Sequence, residues 1–438
     1  MSELLEIGQK FNISSSNLVL EVVKFLGAGG QGEVYQAKLG SSPIALKWYF
    51  RHAATEEQLK SLNSLVQKGP PSETFLWPIE LVSSKDRIGF GYLMPLREVR
   101  FKSLFDLMKN RVDPSFMTLS TVGLNLSHGF LLLHSKGFCY RDISFGNVFF
   151  DPQTGDILIC DNDNVAVNGE TSSSIAGTLG FMAPELVRNE AKPCIQTDLF
   201  SLSVLLFYMF ILNHPFEGKM EASIDCFDQS AKMKLYGLDP VFIFDPVDRS
   251  NEPVPGIHDA AIANWKIYPR FLKDLFIKAF TKQSLSSQPQ RVRESEWKAT
   301  MARLRDAIFY CSCGSENFFD DEDSSDLKNS KICWNCKKEA KFPFRVRFGS
   351  SVKMLNIDSK IYPHHIYDSR LYDFSQILGE VSKNPKDPST LGIKNTSEQN
   401  WKCITIQGRL LEIEPGRSVA ISPGTKIDFG SCEGIIEE

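Results

Sequence analysis

Two polar side chains that could act together in phosphoryl transfer lie five residues apart in the segment FCYRDISFGNVFFD, residues 138–151. Asp142 can accept a proton from an attacking hydroxyl, and Asn147 can bind a metal ion through its side-chain oxygen. Asp161 follows the apolar run ILIC, at a predicted strand end, where a carboxylate can chelate a Mg²⁺ that bridges nucleotide phosphates. An Asx-turn role is the alternative for Asp161. The combination predicts transfer of a phosphoryl group to a hydroxyl.

A glycine-rich segment, LGAGGQGEVYQAK, precedes these residues and contains G-x-G-x-x-G at Gly27, Gly29 and Gly32. This motif also occurs in Rossmann turns, but there a helix follows, whereas Val34 here continues a strand pattern. We therefore expect a hairpin whose backbone N–H groups contact phosphates, with a purely structural hairpin as the alternative. Lys47 in the next strand, IALKWY, is then expected to be a buried cation with an anionic partner rather than a snorkelling edge residue.

The elements that must position these groups divide into a strand-rich part and a helical part. Residues 18–50 alternate apolar and polar side chains, and residues 55–68 have a helical pattern. From Ser103 onward the periodicity is helical. The apolar run Leu199–Leu212 is shorter than the roughly 20 residues that span a bilayer, so a buried helix is predicted there.

The order of the motifs resembles that of eukaryotic-like Ser/Thr protein kinases of the bacterial type, over residues 18–308. The motifs are the Gly-rich loop, the strand lysine, R-D-x-x-x-x-N, an Asp-led metal motif and A-P-E. The resemblance implies an α+β, bilobal kinase fold with an N-lobe at about 18–96 and a C-lobe at about 97–308. Residues 1–17 are then an N-terminal extension.

The resemblance also implies roles for individual residues. Lys47 would pair with the α- and β-phosphates of ATP, Asp142 would be the catalytic base, and Asn147 and Asp161 would hold Mg²⁺. Met94 would be the gatekeeper, beside the Pro95 carbonyl and the Arg97 N–H as adenine contacts. The nucleotide-binding set is Gly27, Ala28, Gly29, Gly30, Gln31, Gly32, Val34, Ala45, Lys47, Met94, Pro95 and Arg97.

Four further residues of the kinase-like region are expected to be structural or to set specificity. Glu185 of A-P-E would pair with Arg291 in a buried ion pair, and Asp198 would brace the backbone of the catalytic loop. Thr178 would lie beside the catalytic Asp, which favours Ser/Thr over Tyr substrates.

The chain departs from the family in the catalytic loop and in the metal motif. Tyr140 replaces the usual His, and Ser144 replaces a Lys that normally touches the γ-phosphate, so a lower rate is expected. The sequence Asp161-Asn162-Asp163 replaces D-F-G. We expect this segment to flip to an inactive state less readily than D-F-G does.

The fourth departure concerns the helix glutamate that normally pairs with the strand lysine. The glutamate is expected about 15–20 residues after the lysine, and that window, residues 62–67 of the predicted helix, contains no acid. Either Glu56 or Glu57 reaches the lysine through a shortened connection, or Asn63 or Gln67 replaces the glutamate by a hydrogen bond.

Arg141 beside Asp142 is typical of kinases whose activation segment is ordered by phosphate. Thr171 and Ser172 to Ser174 are candidate acceptors, and a solvated polar loop is the alternative.

Four of the ten cysteines form two close pairs, Cys311 with Cys313 and Cys333 with Cys336. Thiolates on two turns suit one tetrahedral Zn²⁺, so residues 309–341 are predicted to be a structural zinc ribbon, with unliganded thiols as the alternative. The scattered positions of the other cysteines indicate a reducing compartment, and we expect a cytoplasmic protein.

Residues 342–438 have short strand patterns with Gly and Pro turns, which predict a small all-β regulatory or docking module. It is similar at most to a degenerate forkhead-associated sandwich. His364 and His365 are interpreted as packing or turn residues. The domain combination resembles kinases of bacterial stress clusters, which implies a cognate phosphatase and a von Willebrand-type protein as partners.

The sequence as a whole predicts an ATP- and Mg²⁺-dependent kinase that phosphorylates Ser/Thr hydroxyls of proteins, and also itself. A nucleotide-binding pseudokinase scaffold, or an adaptor acting through its C-terminal module, is the alternative. The net charge of −4 gives no reason to expect a nucleic-acid or membrane surface, and no signal peptide is recognised.

Overall fold

The computed structural model describes residues 4–13, 18–83, 89–169, 177–286, 290–322, 330–388 and 390–438. The chain forms two compact units, and each is described by itself. The first unit comprises Met1–Asp113, Asn125–Val254 and Ala279–Glu294, and the second comprises Pro114–Leu124, Pro255–Lys278 and Ser295–Glu438.

The first unit contains a six-stranded antiparallel sheet in the order β1-β2-β3-β4-β6-β5. The strands are β1 (Lys10–Ile13), β2 (Leu18–Ala28), β3 (Gly32–Leu39), β4 (Ser42–Tyr49), β5 (Glu80–Ser83) and β6 (Phe90–Met94). β1 belongs to the segment 1–17 that the sequence set apart as an extension. Phe11 pairs with Leu20, and Leu5 is buried in the same core, so the described residues 4–13 of this segment belong to the sheet and its core.

Helix α1 (Glu56–Lys68) covers one face of this sheet. The side chain of Thr55 caps its first turn, and Gly69 ends it with a φ of 68°, a backbone conformation that favours glycine. Leu62 and Leu65 are its buried residues. The helix therefore packs on the sheet through these leucines, and its polar side chains lie mainly on the opposite, exposed face.

Helices dominate the part of the chain between residues 104 and 306. They are α2 (Leu104–Met108), α3 (Phe116–Ser135), α4 (Pro184–Val187), α5 (Ile195–Ile211), α6 (Lys219–Ala222), α7 (Gln229–Met233), α8 (Asp259–Ile267), α9 (Arg270–Phe280), α10 (Lys282–Ser286) and α11 (Glu294–Asp306). The apolar run from Leu199 lies in α5, which is almost wholly buried. Among the described residues, α3 alone meets the length and hydropathy criteria for a membrane span, but 61% of its apolar window is buried in the protein, as in the core helix of a soluble protein.

Five short strands position the segment that carries the candidate catalytic residues of the first unit. They are β7 (Lys102–Ser103), β8 (Phe138–Cys139), β9 (Val148–Phe150), β10 (Ile157–Ile159) and β11 (Ala166–Val167). The strand order is β10-β9-β7 in one sheet and β11-β8 in the other. The loop with Asp142 and Asn147 therefore runs from β8 to β9, and Asp161 follows β10.

Two antiparallel hairpins carry the cysteine pairs in the second unit. Their strands are β12 (Ile308–Tyr310), β13 (Glu316–Phe318), β14 (Ser330–Ile332) and β15 (Glu339–Lys341). The carboxylate of Glu316 accepts hydrogen bonds from the backbone N–H groups of Phe116 and Met117, in the first turn of α3. Phe116 also packs against Trp334, with ring centroids 5.8 Å apart. The hairpins therefore complete the N-terminal end of that helix.

The rest of the second unit contains two antiparallel sheets, ordered β17-β16-β25-β24-β21-β22 and β18-β19-β20-β23. The strands are β16 (Arg345–Phe348), β17 (Ser351–Met354), β18 (Lys360–Ile361), β19 (Gly379–Lys383), β20 (Leu391–Asn395), β21 (Trp401–Ile404), β22 (Leu410–Ile413), β23 (Ser418–Ala420), β24 (Lys426–Asp428) and β25 (Glu433–Glu437), with a short helix α12 (Pro363–Ile366). Trp401 lies in their shared apolar core.

The sequence placed a domain boundary at residue 308, at the end of α11. In the structure, α11 from Ser295 onward groups with the hairpins and the two sheets. Asp306, the last residue of α11, forms a buried ion pair with Lys353 of β17, with 2.8 Å between Nζ and Oδ1. That boundary therefore cuts through a packed unit.

Candidate active site

The loop between β8 and β9 is held by a buried carboxylate from α5. Asp198 accepts hydrogen bonds from the backbone N–H groups of Tyr140 and Arg141, the latter at 3.0 Å, which confirms its predicted bracing role. Tyr140 is fully buried and donates its hydroxyl to the Cys160 carbonyl. Tyrosine thus ties the catalytic loop to the segment that leads into Asp161.

A histidine that the sequence analysis did not single out completes this support. His134, at the end of α3, contacts Asp198 through Nε2 at 3.2 Å and Glu294 through Nδ1. Burial alone would lower the pKa of His134, but the two carboxylates outweigh it and raise that pKa to about 9. A buried imidazolium therefore stabilises the aspartate that braces the loop.

Both carboxylate oxygens of Asp142 are fixed by neighbouring donors. The Asn147 amide nitrogen donates to Asp142 Oδ2 at 3.1 Å and to its backbone oxygen at 2.8 Å. The Thr178 hydroxyl donates to Oδ1 at 2.8 Å, which confirms the predicted position of Thr178 beside Asp142. Gly177 precedes it with a φ of 91°, and a Cβ there would lie 2.9 Å from the Arg141 carbonyl, so glycine is required.

Asn147 and Asp161 are brought together by a backbone hydrogen bond. The Cys160 N–H donates to the Asn147 carbonyl at 2.9 Å. Because the Asn147 amide nitrogen points to Asp142, its side-chain oxygen is the atom left for a cation. Partial burial and the charges of Asp163 and Asp142 raise the pKa of Asp161 despite the nearby Lys47. A carboxylate and an amide oxygen in this environment fit the hard-oxygen ligand preference of Mg²⁺.

Lys47 does not pair with any of the four residues proposed from the sequence. Among the described residues, the carboxylates within ion-pair distance of its Nζ are Asp163, at 2.8 and 3.0 Å, and Asp161, at 3.5 Å. Tyr49 and Tyr92 donate their hydroxyls to the two oxygens of Asp163. Asp163 is fully buried, so its charge is balanced inside this cluster.

Burial and charge act in opposite directions on the pKa values of this pair. Burial alone would lower the pKa of Lys47, but Asp163 and Asp161 raise it to about 12. Burial alone would raise the pKa of Asp163, but the Lys47 ammonium and the two tyrosine hydroxyls hold it below the ordinary value. Both groups are therefore charged near neutral pH.

The four proposed partners were wrong because their side chains lie on the exposed face of α1. Glu56, Glu57, Asn63 and Gln67 are all exposed, and the Asn63 amide donates to the carbonyl one turn earlier in its own helix. The helix residue that reaches the cluster is Gln58. Its amide nitrogen lies 3.1 Å from the Tyr49 hydroxyl and 3.4 Å from the Asp163 carbonyl. Acids at the first turn of α1 instead suit the helix dipole.

The glycine-rich segment forms the predicted hairpin between β2 and β3. The Gly29 N–H donates to the Gly32 carbonyl at 2.9 Å across the turn. A Cβ on Gly32 would lie 2.2 Å from the Trp48 carbonyl, so packing requires that glycine. A Cβ on Gly27, Gly29 or Gly30 would meet no described atom within 4 Å. Packing does not require these three glycines, which is consistent with a loop that a ligand approaches closely.

The other predicted nucleotide-binding residues lie in this hairpin, on β4 and β6, or shortly after β6. In the strand register, Val34 pairs with Lys47, and Ala45 pairs with Met94. Ala28 ends β2, and Gln31 donates to the Asn164 side chain at 3.3 Å. Pro95 directly follows β6, and Arg97 stacks on the Phe149 ring at 4.1 Å, a contact the sequence analysis did not foresee.

The predicted ion pair of A-P-E is present. Arg291 Nη2 lies 2.7 Å from a Glu185 carboxylate oxygen, and both side chains are largely buried.

Arg141 donates Nε–H to the Asn164 carbonyl. The candidate phosphoacceptors Thr171 and Ser172 to Ser174 lie outside the described residues.

The four cysteine thiols of the two hairpins converge. Sγ of Cys311 lies 3.6 Å from Sγ of Cys336, and Sγ of Cys313 lies 3.8 Å from Sγ of Cys333. All four sulfur atoms lie within 4.8 Å of one another. Zn–S bonds of about 2.3 Å in a tetrahedron place sulfur atoms about 3.8 Å apart, so the geometry suits zinc.

A second cluster, Asp306 with His364 and His365, has the residue types of a metal site but not its protonation pattern. Nδ1 of His365 accepts from the Tyr362 N–H at 2.9 Å, and Nδ1 of His364 accepts from the Tyr372 N–H. In the neutral rings the protons are therefore on Nε2, which faces Asp306. Lys353 forms an ion pair with this carboxylate and His365 donates a hydrogen bond to it, so the cluster is structural, in agreement with the interpretation of the two histidines from the sequence.

A comparison with protein families decides the assignment. Residues 20–291 match the model described as "Protein kinase domain". The chain belongs to the protein kinase domain family. The matched kinase region contains the catalytic loop, Lys47 and Asp161 in the arrangement described above, and it fits the α+β kinase fold expected from the sequence.

The chain is similar to several curated proteins over part of its length. It is 27% identical to the protein kinase MCK1 of Saccharomyces cerevisiae over 48% of this chain and 58% of the relative. The same identity is found with the protein kinase gsk31 of Schizosaccharomyces pombe, over 48% of this chain and 55% of that protein. The serine/threonine-protein kinase sck2 of the same yeast is 38% identical over 18% of this chain and 12% of its own length. The chain thus spans little more than half the length of these relatives at most.

Proposed function

We propose that this protein is a serine/threonine protein kinase that transfers the γ-phosphoryl group of ATP to hydroxyls of proteins, including its own, with Mg²⁺ as cofactor. The observation that carries the proposal is the position of Asp142, whose two oxygens are oriented by Asn147 and Thr178. A carboxylate held in this way can accept the proton of a substrate hydroxyl. Membership in the kinase family and the serine/threonine-protein kinase among its relatives support the choice of reaction.

Each side chain of the site has one task in this proposal. Lys47 would bind the α- and β-phosphates, while the backbone N–H groups of residues 27–32 would cover them. Asn147 and Asp161 would hold Mg²⁺, which neutralises the charge that develops on the phosphates. Asp142 orients the hydroxyl and accepts its proton. Ser144 leaves the γ-phosphate without the usual lysine, so we expect a modest rate.

The deciding experiment compares phosphate transfer from labelled ATP by the wild type, Asp142→Asn and Asp161→Ala. Loss of the base should reduce transfer by about 10²- to 10⁴-fold. Mg²⁺–ATP binding, measured by calorimetry, should persist in Asp142→Asn and weaken in Asp161→Ala. Equal labelling of all three proteins would contradict the proposal. A wild type that binds ATP without transferring phosphate would favour the pseudokinase.

We further propose that the four cysteines bind one structural Zn²⁺, supported by the sulfur–sulfur distances. Metal analysis of the full chain should find about one zinc per chain, and Cys333→Ser, which removes a fully buried ligand, should lower the content and destabilise the second unit. Cys403→Ser is the matched control, because Cys403 is equally buried in another part of this unit. A zinc content unchanged by Cys333→Ser would contradict the site.

The remaining expectations stay proposals from the sequence. A cytoplasmic location rests on the pattern of cysteine use, and all ten cysteines are free thiols in the structure. The bacterial type, a cognate phosphatase, a von Willebrand-type partner and a regulatory or docking role of residues 342–438 rest on resemblance alone.

A further inference from the structure

The anchor of Lys47 lies on the same turn as the candidate metal ligand. Asp161 has a left-handed backbone conformation, with φ of 50°, and is followed by a tight helical turn, Asn162–Asn164. This geometry turns Asp163 inward, where it is fully buried, while 41% of the Asp161 side chain stays exposed. Two carboxylates two residues apart therefore face opposite environments, one enclosed with the lysine and one open to a ligand.

The contacts of Asp163 leave it little freedom. Lys47 contacts both of its oxygens, and each oxygen also accepts a hydrogen bond from a tyrosine hydroxyl, Tyr92 on Oδ1 and Tyr49 on Oδ2. The two tyrosines lie on neighbouring strands, β4 and β6, so the carboxylate is pinned to the sheet that carries the lysine. Removing such partners would leave a buried charge without compensation, which strongly destabilises the folded protein. The turn Asn162–Asn164 is thus fixed to the sheet through its central residue, Asp163.

Helix α1 contributes no charge to this arrangement. Gln58 offers an amide nitrogen to Tyr49 and to the Asp163 backbone, and Glu57 is exposed. The position of the lysine is therefore not set by a carboxylate on α1.

We propose that Asp163 is the positioning residue for Lys47, in the place of an acid on helix α1, so that the phosphate-binding lysine and the metal-binding Asp161 are aligned by one turn. This inference rests on the proposed kinase function. Its consequence is that catalysis depends on the 161–163 turn and is insensitive to the acids of α1. Moving Asp163 would displace Lys47 and Asp161 together.

A double-mutant cycle on kcat/KM tests whether Asp163 acts through Lys47. Lys47→Met and Asp163→Asn should each lower kcat/KM by about 100-fold, the size expected for a misplaced catalytic group. Because both changes remove the same alignment, the double variant should be no worse than Lys47→Met alone. Losses that multiply to about 10⁴-fold would show that Asp163 acts independently of the lysine and would overturn the proposal.

A transplanted carboxylate gives a second, independent readout. Gln58→Glu in the Asp163→Asn background places an acid on α1 at the residue that already reaches the cluster. It should recover at least about tenfold of the lost kcat/KM, if the lysine needs only a properly placed anion. Glu57→Gln, the matched control on the exposed face, should leave kcat/KM unchanged. A loss of activity in Glu57→Gln equal to that in Asp163→Asn would contradict the proposal.

Folding and function failures are separated by two further measurements. If Asp163→Asn does not fold, as judged by circular dichroism, the Gln58→Glu/Asp163→Asn protein carries the test, and a folded but inactive form of it overturns the proposal. If the wild type transfers no phosphate, the kinase function fails. The cycle is then measured on the dissociation constant of Mg²⁺–ATP, where additive effects of the two substitutions overturn the role of Asp163.

Discussion

Two buried lysine–aspartate pairs with the same 2.8 Å contact occur in the two units of this protein. Lys47 pairs with Asp163 in the first unit, and Lys353 pairs with Asp306 in the second. Each aspartate also accepts hydrogen bonds from ring-bearing residues, tyrosines in one case and His365 in the other. The chemistry of the two pairs is therefore nearly identical, and their surroundings decide what each can do.

The first pair is next to an opening, and the second is sealed. Asp161 lies 3.5 Å from Lys47 and is half exposed, so the lysine has a second anion beside a face that a ligand can reach. Around Asp306, His364 and His365 occupy the remaining directions, with their Nδ1 atoms bound to backbone N–H groups. A buried ion pair by itself thus indicates neither catalysis nor structure. The partly exposed Asp161 beside Lys47 is the feature that distinguishes the first pair from the second.

The largest expected effect is a difference in the free energy of unfolding when the aspartate of each pair is replaced. Asp306→Asn leaves the Lys353 ammonium buried without its carboxylate and should lower the free energy of unfolding by about 3–5 kcal/mol. Asp163→Asn should cost less, because Lys47 keeps Asp161 nearby. Urea unfolding of both variants checks this. The double substitution Asp306→Leu/Lys353→Met, which removes both charges, should recover much of the loss, and equal losses for the two single variants would contradict the comparison.

A pH titration should destabilise the protein on the alkaline side through His134. Its pKa in the folded protein is raised to about 9, so its stabilising contribution is complete below the unfolded value of 6.5 and is lost as the pH rises through about 9. At about 1.4 kcal/mol per pH unit, this interval corresponds to about 3 kcal/mol. Urea unfolding between pH 6 and 9.5 should show the loss in the wild type. His134→Gln, which cannot carry the charge, should lack this dependence, and an unchanged slope would contradict the ion-pair reading.

His364, beside Asp306, should give the folded protein the opposite pH dependence of stability to that of His134. Burial outweighs Asp306 and lowers the pKa of His364 to about 4, so the folded state favours the neutral ring. Its stabilising contribution is present above the unfolded value of 6.5 and is lost as the pH falls from 6.5 to about 4, by about 3 kcal/mol. The same unfolding experiment between pH 6.5 and 4 should show a smaller loss in His364→Phe. A loss as large in that variant as in the wild type would mean that other groups account for it.

The smallest expected effect concerns Asp142, the proposed catalytic base. Thr178→Ala removes one neutral hydrogen bond to Asp142 and should lower kcat/KM about fivefold, corresponding to about 1 kcal/mol. Thr178→Ser retains the hydroxyl and should stay close to the wild type. A full loss of activity in Thr178→Ala would show that the threonine does more than orient the carboxylate.

The spacing of residues that are close along the chain predicted much of the candidate site and of the cysteine cluster. Asp142 and Asn147 are five residues apart in one loop, and the cysteine pairs are each within one turn, so residue types and short distances along the chain were enough to predict their grouping. Thr178, Asp198 and the pairing of Glu185 with Arg291 followed from the motif order of the family, and the structure confirms their contacts.

The sequence by itself determined the kinase fold, the order of its motifs and the residues that could bind phosphate and metal. Only the tertiary structure decided which carboxylate holds Lys47, because Asp163 is 116 residues away along the chain and spacing cannot report such a contact. It also decided that α11 packs with β17 of the second unit, through Asp306 and Lys353, which no local pattern reveals. In both cases a charge could be buried only where a distant partner was present, and that requirement is met by the fold as a whole.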